Sequence, residues 1–458
     1  MEDWSTTANV LHHDPMRIYR AKHDSMKRTV QKKYNILGFI SSGTYGRVYK
    51  AQSLDEDGRI HAIKKFKPDK EGDVVTYTGI SQSAIREMAL NKEIDHENVV
   101  ALKEVILEDK SIYMVFDYAE HDFLQVIHHH SQTLRFPIST PVLKSLIYQL
   151  INGVIYLHSC HILHRDLKPA NILITSSGIV KIGDLGLARL IYEPLQPLHA
   201  GDKVVVTIWY RAPELLMGAK HYNKAIDCWA VGCVIAELAS LRPIFKGEEA
   251  KLDSKKNVPF QKDQLLRIFE VLGTPEVNQW PGLVHMPEYG NMKKLERSQY
   301  RLNDWCQSRI RSHQGWDLLH QLFQYDPDKR LTAKQAIQHP WFSEDPLPTR
   351  NAFSSVASHQ IPPHRRITQD DAPSMMSAIP AAQNQGSQQP GQMGAGAPFV
   401  QQTQTQANQS KPGSTNSFAS GMSVGAGAVY VPNHSHNQGN GHGHGHGQTH
   451  ARKKARLG

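Results

Sequence analysis

His164-Arg165-Asp166-Leu167-Lys168-Pro169-Ala170-Asn171, followed by Asp184-Leu185-Gly186, is the stretch that decides how this chain is read. It sets a carboxylate, an ammonium and an amide on one short loop and brings a second carboxylate from a neighbouring turn. Transfer of a phosphoryl group from a nucleotide needs that set. Asp166 can accept the hydrogen bond of an incoming hydroxyl, Asn171 and Asp184 can hold Mg²⁺ on a triphosphate, and Lys168 can neutralise charge on the transferring group. A solvated loop rich in charge is the bland alternative, but the match is long and ordered, which leaves chance little room.

Upstream lie three pieces that complete such a site. Ile40-Ser41-Ser42-Gly43-Thr44-Tyr45-Gly46-Arg47-Val48 has the glycines of a turn that closes over phosphates, with Val48 placed to lie against a base. On its own a plain hairpin turn explains it as well, and Ser41 stands where the first glycine of the pattern belongs. In His61-Ala62-Ile63-Lys64 the ammonium of Lys64 can grip α- and β-phosphates, whereas an isolated lysine here would be read as surface. Helical spacing over 82–92 sets Ile85, Met88 and Ala89 on one face and supplies Glu87 as the partner of Lys64.

Together these motifs resemble the protein kinase family. The resemblance implies an α+β bilobal fold, with a small β-rich N-lobe and a larger helical C-lobe, and ATP and Mg²⁺ as cofactors. It implies catalytic roles for Asp166, Lys168, Lys64, Glu87 and Asn171, and metal binding by Asn171 and Asp184. By the same likeness Phe116 is the gatekeeper, Asp117-Tyr118-Ala119 the hinge, and Asp122 a neighbour of the ribose; Ala62 joins the glycine-rich stretch on the nucleotide. Lys168 in Asp-Leu-Lys-Pro-x-Asn is similar to serine/threonine rather than tyrosine kinases. Ala212-Pro213-Glu214, Asp227-x-Trp229 and Arg330 as the partner of Glu214 fit the family as structural props.

Ser83-Ala84-Ile85-Arg86-Glu87 and Val205 to Glu214 resemble the cyclin-dependent kinases, which implies a pocket for proline after the phosphoacceptor. Relatives clamp a phosphothreonine with three arginines, matched here by Arg86, Arg165 and Arg189; five residues before Thr207 this chain has Asp202 instead. One carboxylate carries less charge than a phosphate, so switching by a partner is favoured over switching by phosphorylation. An ordinary exposed loop residue is the alternative reading of Asp202. No Thr-x-Tyr signature occurs between residues 190 and 206, against a mitogen-activated kinase.

Asp202, Ser81-Gln82-Ser83, Val204 to Thr207, the stretch 218–227 and an insertion at 248–264 resemble the cyclin-C-dependent kinase of the Mediator kinase module, of fungal type. That likeness covers about residues 30–350. It implies a nuclear enzyme regulating transcription, with a cyclin C-type subunit and other kinase-module subunits as partners. Its substrates would carry Ser-Pro or Thr-Pro sites, the RNA polymerase II C-terminal domain and transcription factors among them. Leu185 departs from it, since animal members carry methionine there. A cell-cycle cyclin-dependent kinase and a weakly catalytic scaffold of the same fold are the rival readings; Asp202 with the insertion weighs against the first, and the intact Lys64, Asp166, Asn171 and Asp184 against the second.

Composition sets the outer limits. Of the 458 residues 40% are hydrophobic and 21% charged, near globular averages. Cys160, Cys228, Cys233 and Cys306 form no C-x-x-C pair, so neither a disulfide framework nor a zinc ribbon is indicated. No signal peptide or membrane span is evident, and a soluble protein of a reducing compartment is expected. The net charge is +9, and from residue 351 onward seven Lys or Arg stand against two Asp. The remainder is too weakly basic to demand a nucleic-acid face.

Three regions follow: an N-terminal extension at 1–33, read as a cyclin-contacting helix or a disordered lead-in; a kinase domain at 34–342; and a low-complexity tail at 343–458, disordered from about 350. Strands are predicted over 34–40, 47–51, 59–66, 112–116 and 179–182. A helix capped by Thr140, with Pro141 in its first turn, is predicted to run to 158, and a buried helix spans 227–240. In the tail, the alternation of His442, His444 and His446 with glycine is read as disorder rather than metal binding. Arg452-Lys453-Lys454-Ala455-Arg456 fits an import signal or an ordinary short basic end, and 401–409 a polar interaction tract.

Overall fold

Five segments rich in β-branched and aromatic residues pair into one antiparallel sheet: β1 (Tyr34–Ser42), β2 (Gly46–Ser53), β3 (Ile60–Phe66), β4 (Leu102–Glu108) and β5 (Ser111–Asp117). Their order is β1-β2-β3-β5-β4. The near-continuous apolar run Ile112–Phe116 suits the interior position of β5, which is covered on both faces. β4, whose Lys103 and Glu104 break the apolar pattern, is not among the strands predicted from the sequence. The computed structural model describes residues 29–369 except 44–45, 56, 67–81, 109–110, 192–195, 198–206 and 251–258, together with positions 16, 19, 20 and 22.

A short helix, α1 (Val30–Lys33), stitches the extension to the sheet. The Val30 N–H donates to Glu108 at 2.8 Å, Lys33 pairs with Glu104 at 2.7 Å, and the Val30 side chain is buried. α2 (Gln82–Glu93) turns a different face to the core from the one its apolar spacing picks out. Ala84, Glu87 and Leu90 are buried, while Ile85 is 45% exposed and Ala89 lies outside. The ion pair made by Glu87 sets the rotation of the helix, overriding the apolar stripe.

The helical lobe is organised by α3 (Phe123–His128), α4 (Thr140–Ser159) and α5 (Ala225–Ser240). Ser139, not Thr140, occupies the N-cap of α4, and its side chain makes no capping bond. Every residue of α5 from Ala225 to Ala239 is buried, as an all-round apolar helix requires. Its Trp229 stacks on Phe245 at 5.7 Å and meets the edge of Phe323 at 5.1 Å. A small three-stranded sheet, β6 (His121–Asp122), β7 (Ile172–Ile174) and β8 (Val180–Ile182), underlies the junction with the five-stranded sheet.

The composition break at Leu347-Pro348 does not end the packed chain, contrary to the expectation of disorder from about 350. Residues 345–369 form a strap. Thr349 N–H donates to Ser145 Oγ at 2.9 Å, and Ala352 N–H to the Gly178 carbonyl at 3.1 Å. Ala352 and Phe353 enter the main core, with Val356 and Ile361 packed against it. Farther along, Phe39 and Thr368 exchange backbone hydrogen bonds of 2.9 and 3.0 Å, which places the strap on the edge strand β1. A few spaced apolar anchors and backbone pairs suffice here, and averaged composition hides them. The histidine–glycine run, the basic end and the 401–409 tract lie outside the described residues, as does most of the extension.

Candidate active site

The register of the sheet explains why the motifs converge. Val48 sits opposite Lys64 and Ala62 opposite Phe116, so side chains two apart on neighbouring strands share one face. They wall a cavity of about 610 Å³ that also takes in Ile40, Ser41, Ser42, Gly43 and Gly46. A Cβ on Gly46 would meet the Lys65 carbonyl at 2.5 Å, so the turn approaches β3 as only glycine allows. Asp117, Tyr118 and Ala119 line the same cavity where β5 leaves the sheet. Thr44 and Tyr45 lie outside the described residues. Arg47 is not on the cavity wall, because it faces away from Val48 and Gly46 along the pleat.

Lys64 Nζ lies 2.7 Å from Glu87 and 2.9 Å from Asp184, so one ammonium ties the sheet, α2 and the turn after β8 together. Burial alone would lower the pKa of Lys64, but the two carboxylates outweigh it and hold it protonated. Burial also pushes Glu87 up to about 7, against the pull of Lys64. Asp184 runs the other way: burial opposes its charge, yet Lys64 keeps the carboxyl below its ordinary range. Its backbone is left-handed at φ 60°, and the following Leu185 is buried in the main core.

Across the cavity the loop holds Asp166 by both oxygens. Oδ2 accepts from Lys168 at 2.6 Å and from the Asn171 amide at 3.1 Å; Oδ1 accepts from the Thr207 hydroxyl at 2.9 Å. Behind it, the buried Asp227 accepts from the backbone N–H groups of His164 and Arg165, both at 2.9 Å, and faces His158 Nε2 at 3.0 Å. Arg165 is held at φ 64°, so these bonds pin a loop conformation that a bulky residue avoids. Glu214 and Arg330 form a bidentate pair at 2.7 and 2.9 Å, with Arg330 over the Trp229 ring.

A family model described as "Protein kinase domain" matches residues 34–342. The chain belongs to the protein kinase family. It is 56% identical over 381 residues to serine/threonine-protein kinase ssn3 of Neosartorya fischeri, covering 79% of this chain and 88% of that protein. With serine/threonine-protein kinase SSN3 of Aspergillus oryzae it shares 53% over 396 residues, 82% of this chain and 95% of the relative. It is a serine/threonine kinase, and ATP with a divalent metal is the cofactor set that such domains use.

The residues present suit that metal. Asp184 and Asn171 both face the cavity, and the Asn171 amide spends only its nitrogen, on Asp166, leaving its oxygen uncommitted among the described residues. Carboxylate and amide oxygens are hard ligands, as Mg²⁺ requires. Among the described residues no cluster of three or more His, Cys, Asp or Glu forms a metal cage. A divalent ion held here would therefore share its coordination with phosphate oxygens and water.

Of the three arginines matched to a phosphate clamp, Arg86 donates to the Gly186 carbonyl at 2.8 Å and Arg165 to Leu187 at 2.7 Å, next to each other. Arg165 also donates to the Tyr222 hydroxyl at 2.8 Å, a partner the motifs did not reveal. Arg189 pairs through its backbone with Leu163. Asp202 lies outside the described residues. Asp122, expected beside the ribose, is not on the cavity wall either. It caps α3, accepting from Gln125 N–H at 2.7 Å, and carries Arg365 at 3.0 Å; the kinase presents Arg365 to the cavity instead. Val100 and Leu173 add apolar wall that no motif singled out.

Proposed function

We propose that this kinase is the cyclin-C-dependent enzyme of the Mediator kinase module, acting in the nucleus on Ser-Pro and Thr-Pro sites. Its substrates are the RNA polymerase II C-terminal domain and transcription factors, and the outcome is control of transcription. The observation that carries the catalytic part is the Lys64 ammonium bridging Glu87 and Asp184 on the same cavity as Asp166. Support for the subfamily comes from Ser83 to Glu87, from Asp202 in place of a phosphorylatable threonine, and from the insertion after Gly247.

Bound Mg·ATP supplies the transferable phosphoryl group and the divalent charge that balances it. The chain's own groups do the rest. Lys64 orients the α- and β-phosphates while Glu87 keeps its ammonium in place. Asp184 and Asn171 offer oxygens to the metal. Asp166 accepts the hydrogen bond of the substrate hydroxyl from the position where Thr207 now donates, and Lys168 lies 2.6 Å from that carboxylate, ready to balance charge on the transferring group.

The proposal of cyclin dependence rests on α2. Glu87 reaches Lys64 only with the helix swung inward, and the exposed Ile85 on its outer face is where a partner can hold that state. Purified full-length chain assayed on a C-terminal-domain repeat peptide tests this, with turnover rising at least about tenfold on adding cyclin C. Equal turnover with and without it would sink the assignment.

A further inference from the structure

Arg365 has no counterpart among the motifs, yet it stands on the wall of the nucleotide cavity. Its position follows from the strap. Phe353 anchors one end in the helical lobe, and the Phe39–Thr368 backbone pair fixes the other on β1, so residue 365 is carried past the end of the hinge. Gly38 marks how closely the strap runs: a Cβ there would meet both Ile367 Cβ and the Thr368 carbonyl at 3.1 Å. At the hinge end, Arg365 Nη2 forms an ion pair with Asp122 at 3.0 Å and donates to the His121 carbonyl at 3.4 Å.

The rest of the guanidinium is unspent. A guanidinium carries five N–H donors, and among the described residues nothing accepts from Nη1. Nε is buried and has no acceptor among the described residues, so Nη1 is the donor left to meet a ligand in the cavity. A partly buried cation with uncommitted donors on a cavity wall is a group that awaits an acceptor. Adenine would lie against the hinge, 117–119, and the phosphates run to Lys64 and Asp184, so the sugar falls between them, next to residues 121–122.

We propose that Arg365, delivered by the C-terminal strap, is the residue that faces the ribose hydroxyls of the nucleotide, in the place the family resemblance implies for Asp122. Asp122 then acts through it: as the cap of α3 it is fixed, and its carboxylate orients the guanidinium toward the sugar. Burial raises the Asp122 pKa above its ordinary value, and the Arg365 charge opposes that rise. Nucleotide recognition in this kinase thus includes a segment beyond the 34–342 domain. The inference does not depend on which cyclin or assembly the enzyme serves.

Equilibrium titration of the full-length chain with ADP and with 2′,3′-dideoxy-ADP, each in Mg²⁺ buffer, tests it. Losing a hydrogen bond to a charged donor weakens binding about tenfold. Arg365→Ala should show that loss for ADP and none for the dideoxy analogue, and Arg365→Lys should recover part of it. Thr368→Pro removes the donor to the Phe39 carbonyl without touching the cavity. It should reproduce the Arg365→Ala pattern, because the undocked strap no longer presents the guanidinium. Equal loss for both nucleotides, unchanged ADP affinity, or tighter ADP binding by Arg365→Ala would each overturn the proposal.

Discussion

The catalytic loop and the C-terminal strap wall the same cavity, one from the middle of the chain and one from beyond the domain, and they keep their shapes by different means. The loop is held by buried polar groups: Asp227 on two backbone N–H groups, His164 on the Gly183 carbonyl, Asn171 on Asp166. The strap rests on a few apolar anchors, the Phe39–Thr368 backbone pair, isolated hydrogen bonds at Thr349 and Ala352, and the ion pairs of Arg350 with Glu97 and of Arg365 with Asp122. Chemistry that depends on residue type at fixed spacing leaves a mark in the sequence. Position conferred by docking leaves almost none.

The two regions should break differently. Asp166→Asn keeps the bond geometry within reach but removes the carboxylate that takes the hydroxyl's hydrogen bond. Turnover should fall about 10³-fold, roughly 4 kcal/mol of transition-state stabilisation, with ADP affinity and melting temperature close to wild type. A turnover within a few fold of wild type would take Asp166 out of that role.

Next in size is the support behind the loop. Asp227→Asn leaves buried N–H donors facing an amide, and the expected loss is about 3 kcal/mol of stability in denaturant titration. The same residue sets a pH limit. Burial would raise its carboxyl, but His158 and the backbone donors lower it below the ordinary 3.8. A depressed folded pKa stabilises above the unfolded value and loses that contribution as pH falls through the folded one. Wild-type stability should therefore drop below about pH 3.8 through this group, and the Asn variant should lack that part of the acid slope.

Much of the loop was legible in advance because each residue there has a chemical reason for its type. Lys64, Glu87, Asp184, Asp166 and Asn171 come together as the spacing required. Failures cluster where tertiary contacts decide. The buried face of α2 follows an ion pair rather than the apolar stripe. Arg47 points off the cavity because strand alternation, not motif membership, sets its face. Asp122 was expected at the ribose and is instead spent on a helix cap and on Arg365, which comes from a segment whose Ser-, Pro- and His-rich composition resembles a linker. Phe353, with Val356 and Ile361 spaced after it, is the apolar pattern that the averaged composition hides. Phe353→Ala should cost about 3 kcal/mol, concentrated in the strap, with hydrogen exchange at residues 351–369 rising well before the loop is affected.

The smallest expected effect separates the two regions most sharply. Gly38→Ala adds a methyl group where Ile367 Cβ and the Thr368 carbonyl would each lie 3.1 Å away, tight enough that the strap must shift by a few tenths of an ångström. Alanine in a strand interior also gains about 0.5–1 kcal/mol over glycine, because less backbone freedom is lost on folding. These terms oppose each other, so global stability should change by less than about 1 kcal/mol. Protection of the Phe39 and Thr368 amides reads only the second contact. It should fall in the variant while the backbone amides of His164 and Arg165, bonded to Asp227, exchange as before. If Phe39 and Thr368 stay fully protected, the strap does not track β1 as closely as Gly38 implies. If all four lose protection together, strap and loop form one cooperative unit, and the contrast between them is one of sequence legibility alone.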